Sequence, residues 1–464
     1  MRLSQVYVGA VLLGAVTATP VTARDEPQVE APKEAFKFKR GLPSTTDSKH
    51  LRLNLEVRQE QPINTEPDTN AAGYSSGSFA QGQPVNDANG RGAPILGGTN
   101  RGVDIQNPSN LGQESTDAGI VPNLKWRFSD SKTRLLKGGW VREQVVQDLP
   151  QSRDIAGAQQ HLKKGAVREL HWHKVAEWGF VYSGRIGVSA VDEDGRNSYD
   201  VLGVGDVWYF PKGAAHTVHG LSDEAEYLLV FDEGDFDAFG TTFNVDDWIS
   251  HTPKDVLAKN FGVNASLFDT VPSPNPYIQA GNQSLAAETE GVEYPVGDLS
   301  ANVSSTYVRF AKDVPVIQAP GGGGTIQIFD SRNFPISTTI ASSIVTIKPG
   351  GLRELHWHPT AEEWVYFAQG QARATVFMGS GAARTFDFFA GDTAVFPDNS
   401  GHYVENTSET EDLIWIEIFK ADRVADISLT QWLALTPAPL VAQVLNISID
   451  AMKGLKKQKQ LIIA

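Results

Sequence analysis

The six residues Arg-Glu-Leu-His-Trp-His occur twice in this chain, and the first copy starts at Arg168. In a β-strand, alternate side chains point to the same face. His171 and His173 are therefore expected to share one face, and His356 and His358 do so in the second copy. Two adjacent imidazoles often form part of a transition-metal site. The residues that follow each pair decide whether a metal ion is the better interpretation.

Each histidine pair is followed by the same two further ligand types. An acid comes after a short turn, at Glu177 or Glu363, and a third histidine follows a Gly-Asp…Phe-Pro segment, at His216 or His402. Three imidazoles and one carboxylate suit a divalent ion such as Mn, Fe, Ni or Zn. Because only one ligand is anionic, the bound ion keeps positive charge and attracts further anionic ligands.

A single buried histidine is more often a core residue than a ligand. Six of the ten histidines of this chain, however, occupy equivalent positions of two copies, which favours metal binding. The predicted ligands are His171, His173, Glu177 and His216 in the first copy, and His356, His358, Glu363 and His402 in the second.

An arginine stands three residues before the first histidine of each copy, at Arg168 and Arg353. A guanidinium group binds a carboxylate through two parallel hydrogen bonds. Strict strand alternation would place both arginines on the face opposite the ligands, so a role at the metal requires a bulge or bend. The alternative is a surface salt bridge, which the repetition in both copies makes less attractive.

Composition excludes several classes of function. The 40 Lys and Arg against 55 Asp and Glu give a net charge of −15, which argues against binding to nucleic acid or to anionic membranes. No Cys is present, so a thiolate metal site or a cysteine nucleophile is excluded. After the N-terminus, no stretch approaches the ~20 apolar residues of a membrane-spanning helix.

The N-terminal segment is typical of a secreted protein. Residues 1–23 combine one early charge, a short apolar run and small residues before a cleavage site, which predicts a signal peptide, with a buried N-terminal helix as the alternative. Residues 24–118 are polar and predict a mobile arm. The dibasic pair that ends at Arg40 predicts a cleavage site at which a prosegment is removed. Glycosylation is predicted from five Asn-X-Ser sequons, at Asn264, Asn282, Asn302, Asn406 and Asn446.

The rest of the chain predicts two tandem all-β domains. Short runs rich in β-branched and aromatic residues, bounded by turn residues, recur in both halves. Short helical stretches, starting at Asp246 and Thr430, cap the halves. The repeat is much longer than that of a solenoid, so it indicates duplicated domains. The predicted bounds are 119–260 for the first domain, 261–304 for a linker, 305–450 for the second domain and 451–464 for a tail.

From about Ser129 to the C-terminus, the sequence resembles the cupin superfamily, and specifically the bicupin oxalate decarboxylase family. The segments "RELHWH", "HTPKDVLAKNFGV", "GHYVEN" and "LTQWLALTP" carry this resemblance beyond the metal ligands. It implies a double-stranded β-helix, or jelly roll, in each domain and two Mn²⁺ ions, one per domain. It further implies cleavage of oxalate to formate and CO₂ with dioxygen as redox co-catalyst, and it is compatible with a homo-oligomer, since cupins often form trimers.

The resemblance assigns a proton donor in the second domain only. Glu417, in "IWIEIF", matches the family's proton-donor glutamate, and its apolar neighbours predict a buried carboxyl group with a raised pKa. The alternative is a solvent-facing glutamate on a half-buried strand. In the first domain, "FDEGDFDAFGTTF" lacks the lid glutamate of bacterial members, and Asp237 is the candidate acid there.

Three functions therefore stay open from the sequence. The leading hypothesis is an oxalate decarboxylase with Glu417, Arg168 and Arg353 as catalytic residues. The missing lid glutamate also allows an oxalate oxidase, which gives CO₂ and hydrogen peroxide. A storage-like bicupin without activity is the third, and two complete ligand sets argue against it. Which domain performs the chemistry is undecided.

Overall fold

The computed structural model describes residues 116–281 and 307–464. The predicted signal peptide, the arm as far as residue 115, the dibasic pair at Arg40, and the sequons at Asn282 and Asn302 lie outside the described residues.

Strands dominate both halves, as the β-branched and aromatic runs predict. The first fourteen are β1 Lys125–Arg127, β2 Arg134–Leu136, β3 Gly139–Gln144, β4 Ala156–Lys163, β5 Val167–His173, β6 Glu177–Ser183, β7 Ile186–Val191, β8 Asn197–Leu202, β9 Val207–Phe210, β10 Ala215–Gly220, β11 Glu224–Phe231, β12 Thr242–Asn244, β13 Ile278–Gln279 and β14 Val308–Arg309.

The second half repeats the pattern. Its strands are β15 Val316–Gln318, β16 Gly324–Phe329, β17 Ala341–Ile347, β18 Leu352–Trp357, β19 Glu363–Gln369, β20 Gln371–Phe377, β21 Ala383–Phe389, β22 Asp392–Phe396, β23 Gly401–Asn406, β24 Leu413–Phe419, β25 Ile427–Ser428 and β26 Ile462–Ile463.

Each half forms two antiparallel sheets packed face to face, which confirms the predicted tandem double-stranded β-helices. In the first half, the order β14-β9-β6-β11-β4-β3-β2 faces the order β12-β5-β10-β7-β8, with β13 added on β5. In the second half, β1-β22-β19-β24-β17-β16-β15 faces β21-β20-β23-β18-β25, with β26 added on β18. The repeated histidine segments are β5 and β18, which hold the same place in their sheets.

Short strands at the sheet edges cross the predicted domain bounds. The strand β1, near the start of the predicted first domain, pairs with β22 of the second half, whereas β14 pairs with β9 of the first. The strand β13, from the predicted linker, completes the first half, and β26, from the predicted tail, completes the second. These strands have only two or three residues, too few for a periodic signal, and they cover sheet edges that would otherwise expose unpaired backbone groups.

Three apolar cores result from strict alternation along the central strands. In β11, Tyr227, Leu229 and Phe231 point into the core of the first half. Leu228 and Val230 point the other way, into a core shared by the two seven-stranded sheets. The second half has its own interior core. Because both faces of these sheets are buried, their central strands are almost continuously apolar.

The predicted caps are helical. Two short helices follow each half, and a fifth ends the second: α1 Val245–Ser250, α2 Lys254–Phe261, α3 Leu429–Leu435, α4 Ala438–Leu445 and α5 Ile449–Lys453. Among the described residues, no helix is both long enough and apolar enough to cross a membrane.

One predicted glycosylation site conflicts with the fold. Asn406 is 2% exposed, and its amide nitrogen donates hydrogen bonds to the carbonyl oxygens of Ile347 and Glu411 at 3.0 and 2.8 Å. A glycan on this buried nitrogen would replace one of its two donated hydrogens and has no room, so the glycosylation predicted at Asn406 is wrong and the residue is structural. Asn264 and Asn446 are exposed, as a sequon requires.

Candidate metal centres

The first predicted ligand set converges inside the first half. The strand β5 supplies His171 and His173, Glu177 begins β6, and His216 lies on β10 directly opposite His171. One ligand atom of each residue lies within 4.8 Å of those of the other three. The Glu177 Oε2 atom is 3.3 Å from His173 Nε2 and 3.4 Å from His216 Nε2. All four side chains are buried.

The second set repeats this geometry. The Glu363 Oε2 atom lies 3.0 Å from His358 Nε2 and 2.8 Å from His402 Nε2. The Nε2 atoms of His356 and His358 are 3.2 Å apart. Two unprotonated imidazole nitrogens at that distance repel each other unless a proton or a cation lies between them. The four ligand atoms again fall within 4.8 Å of one another.

Hydrogen bonds on the far side of the rings prepare all six histidines for a metal ion. In each ring, Nδ1 contacts an oxygen of the protein. A carbonyl can only accept, so in five of the six rings the contact fixes the tautomer and leaves the Nε2 lone pair for the ion. Five rings contact a backbone carbonyl: His171 that of Glu169, His216 that of Ala214, His356 that of Glu354, His358 that of Ala425 and His402 that of Ser400. The sixth ring, His173, contacts the Thr242 hydroxyl.

Charge in the two sites also suits a cation. Burial lowers the pKa of His171 and His356, so these rings are neutral at physiological pH. Burial opposes ionisation of Glu177 and Glu363, but the adjacent histidines outweigh it and lower the pKa of both carboxyl groups. Burial of His358 opposes its ionisation, but the Glu363 carboxylate outweighs it and raises the pKa of this ring. Each site thus combines at least one neutral imidazole with one carboxylate, and the residues present fit a divalent ion.

A bulge turns the two arginines towards the ligands. In β5, His171 pairs with His216, but Arg168 pairs with Val218, so three steps on β5 match two on β10. The same shift separates His356 from Arg353 in β18. The extra residue points outwards, and the arginines turn inwards, where they are 3% and 2% exposed. The bulge that a role at the metal requires is therefore present. Because both side chains are buried, the alternative of a salt bridge at the surface is excluded.

The two arginines differ in how they are paired. The Arg168 guanidinium lies 3.7 Å from the centre of the Tyr277 ring. Its polar contacts with Glu169 and Asn244, and with the Tyr277 carbonyl, are all long, at 3.4 Å. Burial and the hydrogen bond with Asp246 raise the pKa of Glu169 to about 8, so Glu169 is mostly uncharged at neutral pH and does not neutralise Arg168.

Arg353, by contrast, is held in an ion pair. Its guanidinium donates to Asp426 Oδ2 at 2.8 Å and to the Leu461 carbonyl at 3.3 Å. Burial opposes ionisation of Asp426, but the charges of Arg353 and Lys459 outweigh it and hold the pKa of Asp426 well below its usual range. Arg353 is therefore closely paired with a carboxylate at 2.8 Å, whereas the nearest carboxyl contact of Arg168 among the described residues, with Glu169, is longer at 3.4 Å.

A cavity of about 470 Å³ opens onto the first centre. Its wall includes three of the predicted ligands, His171, His173 and Glu177, together with Arg168. A metal ion held by these ligands would join the guanidinium at one end of the cavity, and the two charges together would favour a compact anion. The remaining wall carries carboxyl groups, among them Asp237, so both ligand-binding and proton-donating groups meet in one space.

Glu417 lies deep in the second half. It is 1% exposed and points into the same core as Trp415, so the solvent-facing alternative is excluded. Its carboxylate accepts hydrogen bonds from Ser343 Oγ at 2.5 Å and from Trp415 Nε1 at 3.1 Å. Burial and the charge of Glu363 raise the pKa of Glu417 to about 7. Its role as proton donor stays a prediction.

Asp237 lies in the loop between β11 and β12 and borders the first cavity. Its side chain is exposed, and partial burial raises the pKa of its carboxyl group, as a proton donor requires. Phe239, two residues on, is fully exposed at 107%.

Several residues of the first cavity carried no signal in the sequence. Glu143 on β3, Gln160 on β4 and Tyr277 after α2 all border the cavity. Burial raises the pKa of Glu143. These residues are far from the ligands in the chain, and only the pairing of β3, β4 and β13 with their neighbours brings them to the site. In β4, the buried polar pair Gln159-Gln160, which directly follows three small residues, was the one available clue.

The chain resembles known proteins over most of its length. The cupin family model matches residues 128–267 and 317–453. A "Probable oxalate decarboxylase" of Arthroderma benhamiae is 61% identical over 384 residues, which cover 82% of this chain and 93% of that protein. An oxalate decarboxylase of Bacillus subtilis is 45% identical over 360 residues, 78% of this chain and 91% of the relative. The solved structure of the Bacillus subtilis oxalate decarboxylase superposes with a TM-score of 0.75 at 43% identity, covering 82% of this chain and 97% of that one.

Proposed function

The chain belongs to the bicupin oxalate decarboxylase family, and from this premise we propose that it is a manganese-dependent oxalate decarboxylase, which converts oxalate into formate and CO₂ with dioxygen as redox co-catalyst. The observation that carries the proposal is the cavity of the first centre. There a complete set of three histidines and one glutamate meets a buried arginine whose polar contacts within the described residues are all long, at 3.4 Å.

The metal would be held by the two ligand sets, one Mn²⁺ in each. A set of three imidazoles and one carboxylate also accepts Fe, Ni or Zn, so manganese is inferred from the family. When bound, manganese together with dioxygen supplies the reversible removal of one electron from oxalate, whose two carboxylates offer no electron sink for cleavage of the C–C bond. The protein supplies binding, orientation and the proton.

We assign catalysis to the first centre. Arg168 binds one carboxylate of oxalate, because it borders the cavity and keeps its charge. Asp237 donates the proton that the reaction consumes, since one oxalate dianion and one proton give one formate and one CO₂. Arg353 is already paired with Asp426, so the second centre offers oxalate no free guanidinium.

An oxalate oxidase is the second candidate, and one feature favours it. The loop that holds Asp237 contains no glutamate between Phe236 and Thr241, so the proton donor is a shorter side chain. If that donor does not reach the substrate, both carbons leave as CO₂ and dioxygen is reduced to hydrogen peroxide.

Turnover of ¹³C-labelled oxalate separates the two candidates. We expect one formate and one CO₂ for each oxalate, with only traces of peroxide. Two CO₂ and one peroxide for each oxalate would establish the oxidase. A manganese-loaded protein that leaves oxalate unchanged in the presence of dioxygen would reject both.

Replacing Arg168 by lysine is expected to lower kcat/KM for oxalate about 10- to 100-fold, because lysine cannot form the two parallel hydrogen bonds. Metal content should stay unchanged, since the arginine does not ligate. The matched control is Arg353→Lys, for which we expect less than about a threefold change. Equal losses in both variants would contradict the assignment to the first centre. Metal analysis and steady-state kinetics on both proteins provide the measurement.

Activity is expected to decrease as the pH rises from acidic to neutral. Burial raises the pKa of Asp237, so its protonated fraction is greatest at low pH and falls as the pH passes through that raised pKa. Monoprotonated oxalate, which carries less charge into the cavity, also disappears as the pH rises. Measuring kcat/KM from pH 3 to pH 8 tests this expectation, and a steady increase with pH would disprove it.

We also propose that the protein is secreted and glycosylated. The N-terminal signal sequence supports secretion, and the exposed sequons Asn264 and Asn446 support glycosylation. A homo-oligomer is compatible with the family. N-terminal sequencing of protein recovered from culture medium, mass analysis before and after removal of N-linked glycans, and light scattering test these three points.

A further inference from the structure

One buried side chain at the first centre has an unused hydrogen-bond donor. Gln160 is fully buried in β4 and borders the cavity that contains Arg168 and the metal ligands. Within the described part of the chain, its Nε2 atom has no hydrogen-bond partner. Leaving an amide donor unpaired in a protein interior costs free energy, so such groups usually have an occupant that supplies the acceptor.

A second buried residue fixes the orientation of this amide. Tyr227, directly opposite on β11, donates its hydroxyl hydrogen bond to Gln160 Oε1. With Oε1 occupied by this short contact, Nε2 is the end left to the cavity. Tyr227 is itself fully buried and packs on Trp208 with ring centroids 5.6 Å apart, and Trp208 Nε1 donates to Glu177 Oε1 at 3.0 Å. The pair is thus connected to the ligand carboxylate through Trp208.

The fold does not require a polar pair at this place. In the first half, Ala156 on β4 pairs with Phe231 on β11. Four residues further along β4, Gln160 pairs with Tyr227. In the second half, β17 and β24 pair from Ala341 opposite Phe419, and the corresponding positions hold Val345 and Trp415. The duplicate of this site has the same strand pairing with an apolar Val345 in place of the glutamine, so the fold does not need an amide here.

We propose that Gln160 is a substrate-binding residue whose Nε2 group donates a hydrogen bond to a carboxylate of oxalate in the first centre, and that Tyr227 positions it. The inference rests on the proposed function and deepens it. Arg168 and the metal attract an anion to this cavity, and the free donor of Gln160 faces the same space. An anion with two carboxylates has enough acceptors to meet the arginine, the metal and the amide together.

The decisive variant removes both polar groups and keeps the volume. In Gln160→Met/Tyr227→Phe, no buried polar atom of the pair is left unpaired, so the melting temperature should be maintained or raised. Oxalate binding to the manganese-loaded protein, measured by calorimetry without dioxygen so that no turnover occurs, should weaken about tenfold. Manganese content should be unchanged. Tyr227→Phe alone should weaken oxalate binding by a smaller factor, because the amide is then free to rotate.

Gln159→Met is the matched control. Gln159 points to the other face of β4, accepts from Arg142 Nε at 2.7 Å and donates to the Tyr366 hydroxyl at 3.0 Å. It should show the opposite pattern, with a lower melting temperature and unchanged affinity for oxalate.

Two results would overturn the inference alone: the double variant binds oxalate as the wild type does, or its affinity falls only together with its manganese content. In either case, the proposed function would still stand if the wild-type protein converts oxalate into formate. Failure of the manganese-loaded wild type to bind oxalate at all would reject both.

Discussion

Formate production is expected to fall at least about a hundredfold when Asp237 is replaced by asparagine, and to change by less than about tenfold when Glu417 is replaced by glutamine. Asparagine preserves the shape of Asp237 but has no acidic proton. Asp237 borders the cavity of the first centre, where Arg168 keeps its charge. Glu417 lies in the second half, beside an arginine that is already paired with Asp426.

The two variants must be read with formate and peroxide measured together. In Asp237→Asn, the oxidised substrate lacks its proton donor, so peroxide per oxalate should rise while manganese stays bound. The reverse pattern, with formate lost only in Glu417→Gln, would move catalysis to the second centre, as the family match of Glu417 suggests. If formate survives in both variants, Glu143, the further carboxyl group with a raised pKa in the first cavity, becomes the donor to test.

Replacing His173 or His358 by alanine is expected to remove about half of the bound manganese in each case, because each variant loses one ligand of one of the two centres. Turnover of oxalate should be abolished by His173→Ala, which empties the centre to which we assign catalysis. The second variant, His358→Ala, should keep an intact first centre and therefore measurable turnover. Metal analysis and formate assays on the same preparations test both statements.

The control is His251→Ala, which removes an exposed histidine of the first cap and should leave both manganese ions in place. Full manganese retention in His173→Ala or His358→Ala would reject the ligand assignment. Complete loss of turnover in His358→Ala, with half the manganese retained, would show instead that the first centre needs the second.

The local parts of this protein could be predicted from its sequence. Alternation along a strand places His171 and His173 on one face without reference to any other segment. Duplication then makes the interpretation robust, since the same ligand types recur at His356 and His358. The two β-rich halves with helical caps follow for the same reason, because patterns of hydrophobic and turn residues act within a few residues.

The orientation of the two arginines was not decided by the sequence. Alternation alone turns Arg168 and Arg353 away from the ligands, and the bulges in β5 and β18 reverse this. A bulge is set by the register of the partner strand, which no local pattern reveals. The edge strands β1 and β14 were assigned to the wrong halves for a related reason. Their pairing satisfies the backbone of distant sheets, and two or three residues carry no period of their own.

The sequence by itself determined the kind of site, because the ligand types and their spacing lie within short segments. Only the tertiary structure decided how the two copies differ. It pairs Arg353 with Asp426, and it brings Gln160 and Tyr227 to the first centre from separate strands, where the second half has Val345 and Trp415. The physical reason is that charge pairing, burial and cavity shape depend on groups far apart in the chain, and two nearly identical motifs acquire different chemistry from the residues that fold around them.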